Sequence, residues 1–343
     1  MVHSSITLIG IVMFSNQNYK MKLNNSQLTN FINRIKLKRD NMTGYRSQVI
    51  NLQEDLERHI TEDIATGVKV IRVIIAGSWK KGTILRPTGD NPIDIDLVLY
   101  IEGDDNLQED LEKLHDLLVE YLKKIYPTKD ILRDVDASGK TRSIKIKFTG
   151  SGLEVDIVPV IPLKQPKEYV WQPQRGGGGK YITSVTKQLE FAANHRKGNS
   201  YYTSIVRALK WWRNYKELDE LSSFTIELIV SYLEINKGIE TGIEEGIIRF
   251  FKFVSDPSFP AINFKNAINN LPLPTPKIFV ADPTNNENNA AKKINDTNWE
   301  EIKKEANEAF EALNIAQSKN FEGDTIEEWK FVFGPSFNIK SED

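Results

Sequence analysis

The chain contains no cysteine. That excludes disulfides, zinc–thiolate sites and a cysteine nucleophile, and it suits a reducing cytosol. Histidine is scarce too. The four present, His3, His59, His115 and His195, show no ligand-type spacing. His59 and His115 fall on the flanks of helical patterns and are expected at the surface. Long apolar runs are also missing: residues 6–14 span nine positions, far short of the ~20 a membrane helix needs. The same stretch lacks the positive start and small-residue cleavage site of a signal peptide. Residues 1–20 are therefore expected to be a poorly ordered tail or an upstream start before Met21, and the cytoplasm is the expected location. Neither sign of charge dominates. Lys and Arg number 45 against 47 Asp and Glu, for a net charge of −2, so no global basic excess points to nucleic acid.

The 343 residues suffice for two lobes. Tyr45, Val49, Leu52, Leu56 and Ile60 recur at helical spacing and mark a long amphipathic helix. Residues 68–76 are β-branched and run into Gly77-Ser78, which predicts a strand ending in a turn. Residues 93–100 predict a second strand, and Leu107, Leu111, Leu114, Leu118, Leu122 and Ile125 a helical stripe. Residues 143–148 alternate as a half-exposed strand does. Residues 153–158 predict another strand, closed by Pro159 and Pro162. Arg175 and the four glycines after it read as a flexible joint or a mobile lip. Beyond them helical patterns dominate: Tyr202 to Trp212, then Phe224 to Leu233, then a helix with a capping-box spacing at Thr297 to Glu300. No repeat is evident, and residues 285–289 form one low-complexity patch. The expected organisation is a mixed α/β lobe over residues 21–175 and a helical lobe over 176–343.

Within the second strand, Asp94 and Asp96 face one side while Ile95 and Leu97 face the other, with α-carbons roughly 6.6 Å apart. Two carboxylates aimed at one point repel, and one pKa rises. A divalent cation with hard-oxygen preference removes the conflict, and Mg²⁺ typically takes one or two carboxylates plus substrate phosphates. Asp156 offers a third acid from another strand, with Glu154 on its face. Three such acids can hold two ions ~3.5–4 Å apart at an in-line displacement on phosphorus. An isolated D-x-D reads equally as a strand-end cap after Pro92 plus a salt bridge. The upstream GSWKKGT shifts the balance, because Ser78 and the backbone N–H groups of a glycine turn can cradle a triphosphate, with Lys80 or Lys81 adding charge.

This combination, G-S with a K-G-T loop, D-I-D, and then Asp156 in V-D-I-V-P, resembles the polymerase-β-like nucleotidyltransferases. Four further stretches are similar to the cGAS/DncV-like branch, the CD-NTases, which are related to oligoadenylate synthases. They begin at Tyr45, Ile205, Leu221 and Val280. The resemblance spans about residues 24–320 and implies a two-lobed fold with a mixed sheet lobe and a helical C-terminal lobe. It implies that Gly77 and Ser78 hold the donor phosphates, that Asp94 and Asp96 bind two Mg²⁺ ions (Mn²⁺ as a substitute), and that Asp156 ligates the catalytic ion and helps activate a ribose hydroxyl. It implies that Lys210 reaches the β- and γ-phosphates beside Ser222 or Ser223, and that Asp282 reads a base edge. A structural Asx-Pro turn accounts equally well for Asp282.

Two decoys are set aside. Ser138-Gly-Lys-Thr141 lacks the glycine a phosphate-binding P-loop needs at position 134, where Asp134 stands. Trp211 and Trp212 can stack on a base, yet core packing of at least one ring is the default. The expected activity is a Mg²⁺-dependent nucleotidyltransferase joining NTPs, ATP among them, into a cyclic di- or trinucleotide with pyrophosphate release. By resemblance it serves anti-phage signalling, with a separate effector and a regulatory protein partner. Long double-stranded DNA is not expected as activator, since the zinc-bearing insertion that senses it needs ligands this chain lacks. The rival readings are a linear or RNA nucleotidyltransferase and a non-catalytic nucleotide-binding scaffold of the same fold.

Overall fold

The computed structural model describes residues 23–89, 91–103, 111–135, 141–173 and 180–341. The expected tail 1–20, Leu107 of the helical stripe, most of the 138–141 decoy, and Arg175 with its glycines lie outside them. Helix α1 (Asn25–Ile35) starts from a reciprocal cap between Asn24 and Gln27. Helix α2 (Arg39–Glu62) buries Val49, Leu52, Leu56 and Ile60, the expected stripe. Strand β1 (Lys69–Ile75), the short helix α3 (Gly77–Lys81), β2 (Ile93–Glu102) and helix α4 (Leu111–Ile125) follow. Next come β3 (Asp130–Val135), β4 (Thr141–Phe148), β5 (Leu153–Pro162), β6 (Val170–Pro173) and β7 (Lys180–Thr183). The sheet order is β1-β2-β5-β4-β3, with β6 pairing both β5 and β7. Strands β2 and β5 run parallel, and their neighbours are antiparallel.

Strand alternation divides the sheet chemically. Ile93, Ile95, Leu97, Ile144, Ile146, Val155 and Ile157 enter a core shared with α2 and α4. Their sequence neighbours project from the opposite face. Strand β5 does not stop at Pro159, as the sequence suggests. Its pairing with β4 ends at Ile157 and that with β6 begins at Ile161. Pro159 therefore sits in the gap on that edge, where a missing N–H breaks no ladder. His115 is fully buried rather than on the surface. It lies one turn before the buried Val119, and α4 buries a wider arc than its leucine stripe marks.

The second lobe is helical: α5 (Val185–Gly198), α6 (Tyr202–Tyr215), α7 (Ser223–Lys237), α8 (Ile243–Val254), α9 (Asp296–Ser318) and α10 (Glu322–Phe333). The α9 capping box is formed by Asn295 and Asn298, not by Thr297 and Glu300. Asparagine serves there because it both accepts and donates. Trp211 and Trp212 are both buried, the latter against Phe250 and Phe251. The 285–289 patch is ordered as strand β9 (Asn285–Asn289) against β8 (Ala281–Asp282). Its asparagines bond backbone groups, as Asn285 and Asn288 do to the Ile182 carbonyl. Leu28, Phe31 and Ile32 of α1 pack in the helical core, while β6 and β7 pair across the expected 175/176 boundary. The two cores thus interleave along the chain.

One buried acid lies outside any site. Glu244, 1% exposed in the first turn of α8, has its carboxyl pushed up to about 7 by burial, with Gln317 pulling the other way. The folded state therefore holds this proton more tightly than the unfolded chain. Its contribution to stability is present at acid pH and lost as pH rises through about 7. Glu244→Gln is expected to stabilise the protein by about 1–3 kcal/mol at pH 8 and not at pH 4, as denaturant midpoints at the two pH values will read.

Candidate functional site

The polar face of the sheet carries a charge cluster set by register. Asp94 lies opposite Glu154 and Asp96 opposite Asp156 across the parallel β2–β5 pair. Lys145 lies opposite Asp156 and Lys147 opposite Glu154 across β4–β5. Lys145 Nζ meets Glu154 Oε2 at 2.8 Å, Asp94 Oδ1 at 3.6 Å and Asp156 Oδ1 at 3.7 Å. Lys147 Nζ pairs with Glu154 Oε1 at 2.6 Å.

The turn after β1 closes over these acids. The Ala76 N–H donates to the Asp96 carbonyl at 2.8 Å, and Gly77 takes φ +57°. A Cβ on Gly77 would lie 1.6 Å from Asp96 Oδ2. Glycine is required twice over, for its left-handed backbone and for the approach of the carboxylate. The residues after Ser78 are clamped from the helical lobe. Lys81 Nζ pairs with Glu227 Oε2 at 2.7 Å and lies 4.5 Å from the Phe224 ring centre. Thr83 Oγ1 donates to Glu227 Oε1 at 2.9 Å, Lys210 Nζ to the Thr83 carbonyl at 3.0 Å, and Arg207 to the Gly82 carbonyl at 2.5 Å.

Burial pushes the Asp96 carboxyl up to about 6, with Asp94 adding to it and Lys81 and Lys210 opposing. Asp94 is raised as well, first by burial, with Lys145 opposing. Burial brings Lys210 down to about 8. Two neighbouring acids that are both costly to ionise call for added positive charge. Asp94 Oδ1 is buried, and its contact with Lys145 is longer than a hydrogen bond. Among the described residues no three His, Asp or Glu side chains form a ready-made ligand set, and Lys145 stands among the acids. The donor set, hard carboxylate oxygens on one face of two neighbouring strands, fits Mg²⁺ or Mn²⁺.

A cavity of about 510 Å³ opens between the lobes. Gly77, Ser78, Asp94, Asp96, Asp156, Ser222, Ser223 and Asp282 all line it. Lys210 lines an adjoining recess of about 250 Å³ with Ser78, Asp94 and Ser223. The expected site residues therefore line one cavity, with Lys210 in the recess beside it. Ser222 also caps α7, accepting from the Thr225 N–H. Asp282 forms an Asx turn: Oδ1 accepts from the Thr284 N–H and hydroxyl, and Oδ2 from Thr183 and Gln188. Sequence reasoning missed Lys145 and Glu227. A hairpin turning over residues 149–152 places Lys145 opposite Asp156, and Glu227 is a lone carboxylate in an otherwise apolar helix segment.

Residues 21–196 match the family model described as the Second Messenger Oligonucleotide or Dinucleotide Synthetase domain. The chain is 30% identical over 322 residues to the CBASS oligonucleotide cyclase CdnC of Escherichia coli strain KTE188, covering 93% of this chain and 99% of the relative. It is also 30% identical to the cyclic AMP-AMP-AMP synthase of E. coli strain MS 115-1, covering 89% and 94%. The solved structure of E. coli MS115-1 CdnC with ATP superposes with a TM-score of 0.75 at 27% identity, over 92% of this chain and 99% of that one. The same protein in complex with HORMA-deltaN gives 0.72 at 28%, over 92% and 98%.

Proposed function

The chain belongs to the Second Messenger Oligonucleotide or Dinucleotide Synthetase family, the cGAS/DncV-like nucleotidyltransferases, and from that premise we propose that it makes a cyclic oligonucleotide from NTPs, ATP among them, in cytoplasmic anti-phage defence. One observation carries the proposal: Asp96 in register with Asp156, Asp94 on the same face, and the Gly77-Ser78 turn wrapped over them. The names of the relatives favour ATP as substrate and a cyclic product. The complex of the MS115-1 cyclase favours a HORMA-type regulatory partner.

In this reading Asp94, Asp96 and Asp156 hold two Mg²⁺ ions. When bound, these supply charge to the phosphate oxygens and lower the pKa of the attacking hydroxyl. The backbone N–H groups at Gly77-Ser78 and the Ser78 hydroxyl hold the donor triphosphate. Lys210 and Ser223 flank it from the helical lobe. An acceptor ribose hydroxyl gives up its proton to the Asp156 carboxylate and attacks the α-phosphorus. The new P–O bond forms as the bond to the β-phosphate bridge breaks, and pyrophosphate leaves. The contribution of the residues is alignment and fixed charge. Repetition and final closure within the same chain yield a ring.

Incubating the protein with α-labelled ATP and Mg²⁺, then with phosphatase, tests this. A labelled product whose chromatographic mobility phosphatase leaves unchanged, and which does not form in EDTA, supports a cyclic product. A phosphatase-sensitive oligomer favours a linear polymerase, and ATP binding without pyrophosphate favours a scaffold. Among the described residues no helix is long and apolar enough to cross a membrane.

A further inference from the structure

Four carboxylates, Asp94, Asp96, Glu154 and Asp156, share one face of two adjacent strands. Like charges this close repel strongly where water is partly excluded. A cluster this dense needs a counter-charge from the chain. Lys145 supplies it from β4, where it faces Asp156 across the ladder. Its contacts are unequal. The 2.8 Å bond to Glu154 is a charge-assisted hydrogen bond, whereas Asp94 and Asp156 stand at 3.6 and 3.7 Å, in ion-pair range only. Glu154 is also held by Lys147 at 2.6 Å, so it forms a fixed anchor. The ammonium is thus tethered on the acid that no metal role claims, and it leans on two that have one.

We propose that Lys145 is the built-in counter-ion of the carboxylate cluster: anchored on Glu154, it positions Asp94 and Asp156 and competes with divalent cations for them. It is a positioning residue that sets the metal concentration the centre needs. The inference rests on the reading that Asp94, Asp96 and Asp156 bind divalent ions. Removing the ammonium leaves the acids repelling one another, and a divalent ion then loses its nearest rival for Asp94 and Asp156.

The test uses Lys145→Met and Lys145→Gln, with Lys145→Arg as the charge-preserving control. Melting temperatures are read in EDTA and in Mg²⁺, and Mn²⁺ binding by the loss of the free-ion electron paramagnetic resonance signal. In EDTA the Met and Gln variants are expected to melt several degrees below wild type, and in Mg²⁺ to recover most of the difference. Their Mn²⁺ affinity is expected to rise about tenfold, with the Arg variant close to wild type. The gain disappears when Asp94 and Asp96 are asparagine. Mn²⁺ affinity equal to wild type in the two neutral variants overturns the inference and leaves the metal reading intact. Failure of wild type and both variants to bind Mn²⁺ at all overturns both.

Discussion

Replacing Asp94 and Asp96 together with asparagine is expected to lower product formation from labelled ATP at least ~10³-fold, the scale of losing groups that act on charge developing at the reacting centre. Both carboxylates lie on the polar face of β2 beside Asp156, and asparagine keeps their shape while removing the negative charge. The stability of the same variant separates chemistry from folding. Burial raises both acids above the ordinary carboxylate range, and like-charge repulsion adds to it, from Asp94 on Asp96 and from Glu154 on Asp94. Relieving that repulsion should leave the melting temperature at or above the wild-type value in EDTA. Turnover preserved in the double variant would remove these residues from the reaction.

Gly77→Ala is expected to be the most damaging glycine-to-alanine change among the described residues. Its Cβ would stand 1.6 Å from Asp96 Oδ2, and its φ of +57° disfavours any side chain. The backbone cost is roughly 1–2 kcal/mol. The larger effect is displacement of Asp96 and the turn by an ångström or more, on the order of 10²-fold in turnover. Gly67→Ala is the matched control. Gly67 has φ +64°, and a Cβ added there would meet nothing within 4 Å, so it carries the backbone cost alone. Similar melting-temperature losses with a turnover loss confined to Gly77→Ala would locate the effect in the carboxylate contact. Equal turnover for both would refute it.

Much of this site was legible because its chemistry is local. The D-I-D alternation dictates one polar and one apolar face whatever the fold, and the glycine-serine turn adjoins it in sequence. What the sequence hides depends on which segments the fold sets side by side. Lys145 looks like an exposed position of an alternating strand until β4 is set against β5, and then it stands among acids. Glu227 clamps the Lys81–Thr83 segment, 146 and 144 residues away. Composition misled for residues 285–289, where asparagines that look like a low-complexity patch bond the backbone of β7 and adjoining segments. His115 is buried because a helix covered on a wide arc buries more than its leucine stripe marks. Helix α1 joins the helical core from the opposite end of the sequence, which no local periodicity encodes.

Mass spectrometry of the product made from ATP and Mg²⁺ tests the central claim most directly. The account predicts a ring with one phosphate per nucleoside and no terminal phosphate, together with one pyrophosphate released per phosphodiester bond, and neither from the Asp94→Asn, Asp96→Asn double variant. A linear oligomer retaining a 5′-triphosphate as the end product, or the same ring from that double variant, would contradict it.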